Sequence, residues 1–159
     1  MKKLTTTLLL LTAAVLAAAR LGSQSATISA SSKNAPEFDH TTVFVRDLAK
    51  SAQFYETVVG LEKIPDPFKD AAHVWFRAGA HEQLHIIGGA TEDAPRNIEV
   101  HMAFRVASVE EFARHLDQMG IKHRTMGGDV AIQLRPDGVH QIYFQDPDGY
   151  WIEINDDRF

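Results

Sequence analysis

Four side chains of this sequence recur in matched positions and are of the kinds that hold metals: His40, His85, His101 and Glu153. His40-Thr41-Thr42-Val43-Phe44-Val45 and His101-Met102-Ala103-Phe104-Arg105-Val106 each open a stretch that continues as a helical pattern and stops at a glycine, Gly60 or Gly120. Phe76 precedes His85 by nine residues, and Phe144 precedes Glu153 by the same nine. Overlaying the copies pairs His40 with His101 and His85 with Glu153. Three imidazoles and a carboxylate suit Zn, Ni, Co, Mn or Fe(II), and a three-ligand subset leaves positions open for water and substrate. His85 reads two ways, as a fourth ligand or as an acid–base group beside the metal, because imidazole titrates near neutral pH. His81, His115, His123 and His140 lack a partner pattern and read as surface or structural residues. With no cysteine in the chain, a metal must be held by nitrogen and oxygen, and no disulfide forms.

The elements that must position these groups repeat in the order β-α-β-β-β. Phe38 to Arg46 alternates and is rich in Thr, Val and Phe, which predicts a strand. Asp47 caps a helix over Leu48 to Val59, stopped by Gly60. Leu61 to Ile64, His73 to Arg77 and Gln83 to Ile87 read as the remaining strands of the first unit, and 88–97 as the seam. The second unit has a strand over Val100 to Val106 and a helix begun by the capping box Ser108-Val109-Glu110-Glu111. A final hairpin, Gln141 to Gln145 and Trp151 to Asn155, turns at Asp146-Pro147-Asp148-Gly149. Residues 125–139, with their Gly-Gly and Pro-Asp-Gly signals, match the repeat least and read as a mobile loop beside the site.

Strand side chains alternate between faces, so fixing the ligands fixes their neighbours. If His40 and His101 face a cavity, so do Thr42, Phe44, Ala103 and Arg105, while Val43, Val45, Met102 and Phe104 face the helices. The same parity turns Gln83, His85, Trp151 and Glu153 inward, opposite His73, Trp75, Gln141 and Tyr143. The expected cavity therefore has aromatic walls in Phe44, Trp75, Tyr143 and Trp151, with Arg105 available to hold a substrate carboxylate. His115 is expected on the exposed part of the second helix.

The amino terminus has a different composition. Lys2 and Lys3 lead into an apolar run from Leu8 to Ala19, too short to span a bilayer comfortably and followed by small residues. This reads as a secretory signal peptide cut after Ala19, Ala26 or Ala30, with an uncleaved anchor as the alternative. Taking residues 1–26 as leader and 27–37 as a flexible tether leaves 38–159 as one domain, with modules over 38–88 and 98–156. That is about 120 residues, enough for one core. The full chain already carries a formal net charge of −5, and cleavage removes Lys2, Lys3 and Arg20. An acidic, exported product argues against nucleic acid or an anionic membrane as partner.

The stretches Asp39-His40-Thr41-Thr42-Val43-Phe44-Val45-Arg46-Asp47-Leu48, His101-Met102-Ala103-Phe104 and Tyr143-Phe144-Gln145-Asp146-Pro147-Asp148-Gly149-Tyr150-Trp151-Ile152-Glu153 resemble the vicinal oxygen chelate superfamily. This is the glyoxalase, bleomycin-resistance and extradiol-dioxygenase fold. The resemblance implies an α+β fold in which two βαβββ modules form a cupped mixed sheet around one divalent metal, with helices outside. It implies a small substrate chelating that metal through adjacent oxygens. Within the family the glyoxalase-like branch implies a lyase or isomerase, although glyoxalase I typically has a glutamate where this chain has His85. The runner-up is an extradiol dioxygenase, whose iron triad is matched by His40, His101 and Glu153; the third reading is a sequestering protein without metal. The family also leads us to expect a homodimer, with the cup closed within one chain or completed by a second.

Overall fold

The computed structural model describes residues 35–92 and 96–158, so the expected signal peptide (1–26) and most of the expected tether (27–37) lie outside the described residues. Glu37–Phe159 forms one compact unit. Its first half contains β1 (His40–Val45), α1 (Leu48–Thr57), β2 (Glu62–Ile64), β3 (His73–Arg77) and β4 (Gln83–Gly88). The second contains β5 (His101–Arg105), α2 (Val109–Gln118), β6 (Gln133–Leu134), β7 (His140–Gln145) and β8 (Trp151–Asn155). Each half is a four-stranded mixed sheet, ordered β1-β4-β3-β2 in one and β5-β8-β7-β6 in the other. The outer strand of each order, β1 or β5, runs parallel to its neighbour, and the remaining pairs are antiparallel.

Local signals set the helix boundaries. The Asp47 side chain accepts from Lys50 N, and Ser108 Oγ accepts from Glu111 N, so each helix begins with one orphan amide satisfied. The predicted capping box forms in part: Ser108 Oγ accepts from Glu111 N as expected, and its own hydroxyl donates to the Glu110 carboxylate. α1 ends two residues earlier than its apolar stripe predicts, and β1 begins two residues later than Phe38. Gly60 and Gly120 adopt φ of 83° and 70°, a left-handed turn that an L side chain would strain.

Alternation decides which face is core. Val43, Val45, Phe76, Leu84, Ile86, Ile142, Phe144, Ile152 and Ile154 are buried against the helices and join one cluster with Phe54, Tyr55, Val109, Ala113 and Leu116. The opposite face is open at the β1 and β5 positions, where Thr42, Phe44, Ala103 and Arg105 are exposed.

The two halves are tied by the turn between β7 and β8. Tyr55 donates its hydroxyl to Asp146 Oδ2 at 2.9 Å with both residues buried, Ser51 donates to Asp148 Oδ2, and Arg46 pairs with Asp148 Oδ1. Tyr150 then covers the β1 edge, its hydroxyl accepting from Phe44 N and donating to Phe44 O. An edge strand with both groups of a residue occupied is a poorer template for stray pairing. The turn signal in the sequence thus serves as the clamp between modules.

Residues 125–139 contain more structure than the expected mobile loop. Arg124 bridges Tyr143, the position that Ile64 occupies opposite Trp75 in the first half. The chain then leaves the sheet and returns as β6 against Gln141 and His140. The fourth strand of the second module is therefore split by an excursion, which Thr125 N to Asp129 O and Met126 N to Gln133 Oε1 hold in place.

Candidate functional site

Register places the four candidate ligands on equivalent sites. His85 on β4 lies between Trp75 on β3 and Thr42 on β1; Glu153 on β8 lies between Tyr143 on β7 and Ala103 on β5. His40 and His101 open β1 and β5. The nine-residue match in the sequence is thus a match of sheet positions.

The second half-site is built from polar groups. His101 donates from Nδ1 to Ile98 O at 2.7 Å, which leaves Nε2 carrying the lone pair of the neutral ring. That Nε2 lies 3.1 Å from Glu153 Oε2. Tyr143 donates its hydroxyl to the same Oε2 at 2.5 Å, and Asn155 Nδ2 donates to Oε1 at 2.7 Å. Burial, followed by the hydrogen bond to Glu153, pushes the Tyr143 phenol well above its ordinary value, so it remains a donor across the accessible pH range. Two lone pairs facing each other at 3.1 Å are satisfied only by a proton or a metal ion between them. The same separation is what two neighbouring ligands show when each sits about 2.1 Å from one metal. This donor set therefore suits a divalent cation.

The first half-site is built from rings. His85 is 9% exposed and sandwiched, with Trp75 stacked on one side at 3.7 Å between centroids and His40 on the other at 4.3 Å. Its Nε2 donates to Gln83 Oε1 at 2.9 Å. Burial, and then the neighbouring His40 charge, lower the His85 pKa and favour the neutral ring. His40 is more open, with 44% of its side chain exposed, and its Nδ1 donates to Asp39 Oδ2 at 2.6 Å. A carboxylate on Nδ1 fixes the tautomer that offers Nε2 to a metal. Phe68 folds across this half from the β2–β3 loop, with its ring 6.0 Å from Trp75 and 5.0 Å from His73.

The four candidates stand as two pairs, His40–His85 and His101–Glu153, rather than one shell. Among the described residues the only group of three or more ligand-type side chains with atoms within 4.8 Å of one another is Asp66, Asp70 and His73, on the same loop as Phe68. Asp70 there accepts from His73 Nδ1 at 2.7 Å, which holds its carboxyl below the usual range. The edges of β1 and β5 bound a cleft of about 460 Å³ lined by Phe38, Thr41, Gln83, His101 and Ala103, among others.

The predicted wall residues divide. Trp75 and Tyr143 touch His85 and Glu153 directly. Trp151 pairs with His101 in register, donates Nε1 to Arg96 O, and lies under the Arg124 guanidinium at 5.2 Å. Phe44 and Arg105 lie at the far ends of their strands. Arg105 lines a separate cavity of about 560 Å³ with Asp156, Asp157 and Arg158, so it is not gathered with the ligand candidates.

Asn155, Asp39 and Gln83 were not singled out as site residues, although each orients one. Asn155 had a usable signal, because it lies two residues beyond Glu153 on the same face. His115 is also corrected: it is half-buried rather than exposed, and its ring bonds Val58 O across the modules. His123 is buried and pairs with Asp117 at 3.3 Å.

The chain belongs to the Glyoxalase/Bleomycin resistance protein/Dioxygenase superfamily, whose family model matches residues 37–154. It is similar to Bacillus subtilis YwbC, with 29% identity covering 76% of this chain and 97% of that protein. It is also similar to Arabidopsis thaliana Glyoxylase I 4, with 28% identity covering 73% of this chain and 68% of that one. Among solved structures it resembles a glyoxalase family protein from Bacillus anthracis, at 28% identity and a TM-score of 0.61, covering 77% and 96% of the two chains. Oxidase ChaP-H1 is comparably similar, at 27% identity and a TM-score of 0.63, covering 78% and 98%.

Proposed function

We propose that this chain is an exported, metal-dependent lyase or isomerase of the glyoxalase-like kind, acting on a small substrate that chelates one divalent metal through adjacent oxygens. The observation that carries this reading is the confrontation of His101 Nε2 with Glu153 Oε2, which calls for a cation. Similarity to Glyoxylase I 4 and to the Bacillus anthracis protein supports the choice of branch. When bound, the metal supplies a Lewis acid that polarises the substrate oxygens. His40, His101 and Glu153 would hold it, with Glu153 also the proton carrier. Tyr143 and Asn155 fix the carboxylate that must do both, and Trp75 and Trp151 supply apolar walls. A homodimer is part of this reading, because the ligand candidates stand as two separated pairs that a second copy can complete.

A second reading, an extradiol-type dioxygenase, is favoured by one observation. The Tyr143 hydroxyl sits on the carboxylate of a two-histidine, one-carboxylate set, and the similarity to oxidase ChaP-H1 points the same way. Metal analysis of protein purified without added metal tests the common premise. Loss of ligand binding on His101→Ala is expected, whereas substoichiometric metal with binding intact would leave only a sequestering protein. A substrate panel separates the two chemistries. Turnover of a thiol–ketoaldehyde adduct with Ni, Co or Zn supports the lyase, and oxygen uptake with a catechol and Fe(II) supports the dioxygenase.

A further inference from the structure

The excursion that splits the fourth strand of the second module closes on a cation. Arg124 and Tyr143 exchange backbone bonds, Arg124 N to Tyr143 O and Tyr143 N to Arg124 O, and residues paired in this way point to the same face of a sheet. Tyr143 reaches Glu153, so Arg124 stands on the ligand face, and its guanidinium lies over the Trp151 ring at 5.2 Å. Trp151 is the register partner of His101. Neighbouring strands lie about 4.8 Å apart, which puts this cation roughly 5–10 Å from the His101–Glu153 pair. Ile64 holds the equivalent place in the first module, so the cation belongs to one half only.

The guanidinium is held in place by the chain that follows it. Its Nε donates to Thr125 O at 3.2 Å and its Nη2 to Met126 O at 3.1 Å. The backbone then turns at Gly128 with φ of 107°, where an added Cβ would come within 3.8 Å of the Arg124 Cζ. These bonds use two of the five N–H donors of an arginine and leave both on Nη1 and one on Nη2. Nη1 and Nη2 together then present the fork that a carboxylate accepts with both oxygens. Among the described residues no carboxylate pairs with it. A cavity of about 510 Å³ opens beside it, lined by Lys122, His123, Gly128, Gln145 and Trp151, among others. His123 is buried there with its Nδ1 lacking a hydrogen-bond partner among the described residues, a polar atom left unsatisfied until something polar enters.

Resting on the metal-dependent reading above, we infer that Arg124, held by residues 125–128, is a specificity-determining residue that receives a carboxylate at the far end of the substrate. The substrate class narrows to small acids whose metal-chelating oxygens and terminal carboxylate stand several bonds apart, with the Trp151 ring beneath the chain between them. The carboxylate-holding role expected of Arg105 falls to Arg124, because Arg105 lines a separate cavity. The excursion is the holder of this cation, which explains why the second module breaks its edge strand where the first does not.

Calorimetric titration of the Zn(II)-loaded full chain with matched 2-oxo acids tests this without any turnover. 2-Oxoglutarate and 2-oxoadipate carry a far carboxylate that 2-oxopentanoate and 2-oxohexanoate lack. At least one of the two diacids should bind about tenfold or more tighter than its monoacid counterpart. Arg124→Gln should abolish that preference while leaving Zn(II) and monoacid affinities within about twofold, and Arg124→Lys, which keeps the charge and loses the fork, should restore only part of it. Lys122→Gln should leave the preference intact. Nitrogen-15 spectra of the arginine side chains in the unsubstituted protein need no variant to fold: the Arg124 resonances should shift with the preferred diacid and stay in place with its monoacid. No diacid preference in a parent that binds Zn(II), or a preference that survives Arg124→Gln, overturns the inference while the metal reading stands. A parent that takes up no Zn(II) overturns both.

Discussion

The two halves of the duplicated unit share a backbone plan and differ in how they hold their central residue. On β8, Glu153 is gripped by hydrogen bonds from Tyr143 and Asn155 and faces His101; on β4, the equivalent His85 is gripped by ring faces. Directional bonds fix where a carboxylate's charge points, which a metal ligand requires. Stacking fixes the plane of a ring and screens it from water, which suits a neutral acceptor more than a ligand. Duplication supplied two equivalent positions, and their neighbours on the adjoining strand, Tyr143 and Trp75, made them different.

The largest break in that contrast is Glu153→Gln. Removing the charged oxygen facing His101 should cost metal affinity more than the roughly 10–100-fold that an outer-shell partner commands. The mirrored change, Trp75→Leu, should leave metal affinity within a few-fold while loosening substrate binding. Calorimetric metal titration of the pair decides the matter, and equal losses would erase the distinction between the half-sites.

Tyr143→Phe is a finer cut in the same place. It leaves Glu153 present but takes away the hydroxyl that holds Oε2 at 2.5 Å. A loss of roughly 10–100-fold in metal affinity is expected, with little change in fold. An unaffected metal titration would mean that Asn155 alone orients the carboxylate.

Much of this arrangement was legible in the chain because β geometry has a period of two. Once His40 and His101 are turned to the cavity, the same alternation puts Trp75, His85, Tyr143 and Glu153 on that face, and the register agrees. Asn155 followed the same rule and was passed over only because an amide is not a ligand. Ring stacking was not legible, since it depends on side-chain rotamers across three strands. Nor was the part played by Asp146 and Asp148: their turn chemistry was plain, but their partners Tyr55, Ser51 and Arg46 lie in the other module. Alternation and capping act over a few residues, and contacts between modules leave no such periodic trace. The split of the second module's fourth strand, at the β6 edge, into Arg124 and β6 escaped for a related reason, because two paired residues carry too little pattern to be read as a strand.

The module clamp gives the third test. Tyr55→Phe removes the hydroxyl that donates to Asp146 Oδ2, while Asp146 Oδ1 keeps its bonds from Asp148 N and Tyr150 N. A buried acceptor left without its donor costs about 1–3 kcal/mol, which urea unfolding can resolve. The loss should be global, because both half-sites depend on the clamp to keep their relative position. Metal affinity unchanged alongside lowered stability would show instead that the clamp serves the fold and not the site.

The smallest expected effect isolates a staple that only one half possesses. Asp156 N bonds His140 O just as Gly88 N bonds Ala72 O in the first half, but His140 and Asp156 add side chains where the first half has Ala72 and Gly88. Asp156 accepts from His140 N through Oδ1 and from its Nδ1 through Oδ2, and Glu110 lies 4.0 Å from the ring. The Asp156 bond, and then the nearby acidic charges, raise the His140 pKa above 6.5. The same bond lowers the Asp156 carboxyl below 3.8. A raised histidine contributes stability that is complete below about pH 6.5 and fades as pH climbs through the raised value. A lowered aspartate contributes stability that is present above about pH 3.8 and is lost as pH falls through its lowered value. The staple is therefore strongest between those limits and weakens toward alkaline pH. Urea midpoints of the parent should fall more steeply than those of His140→Gln from about pH 6 to 8.5, by a small margin because the pair is open to solvent. Parallel pH profiles would mean that the pair is as neutral to folding as the alanine and glycine it replaces.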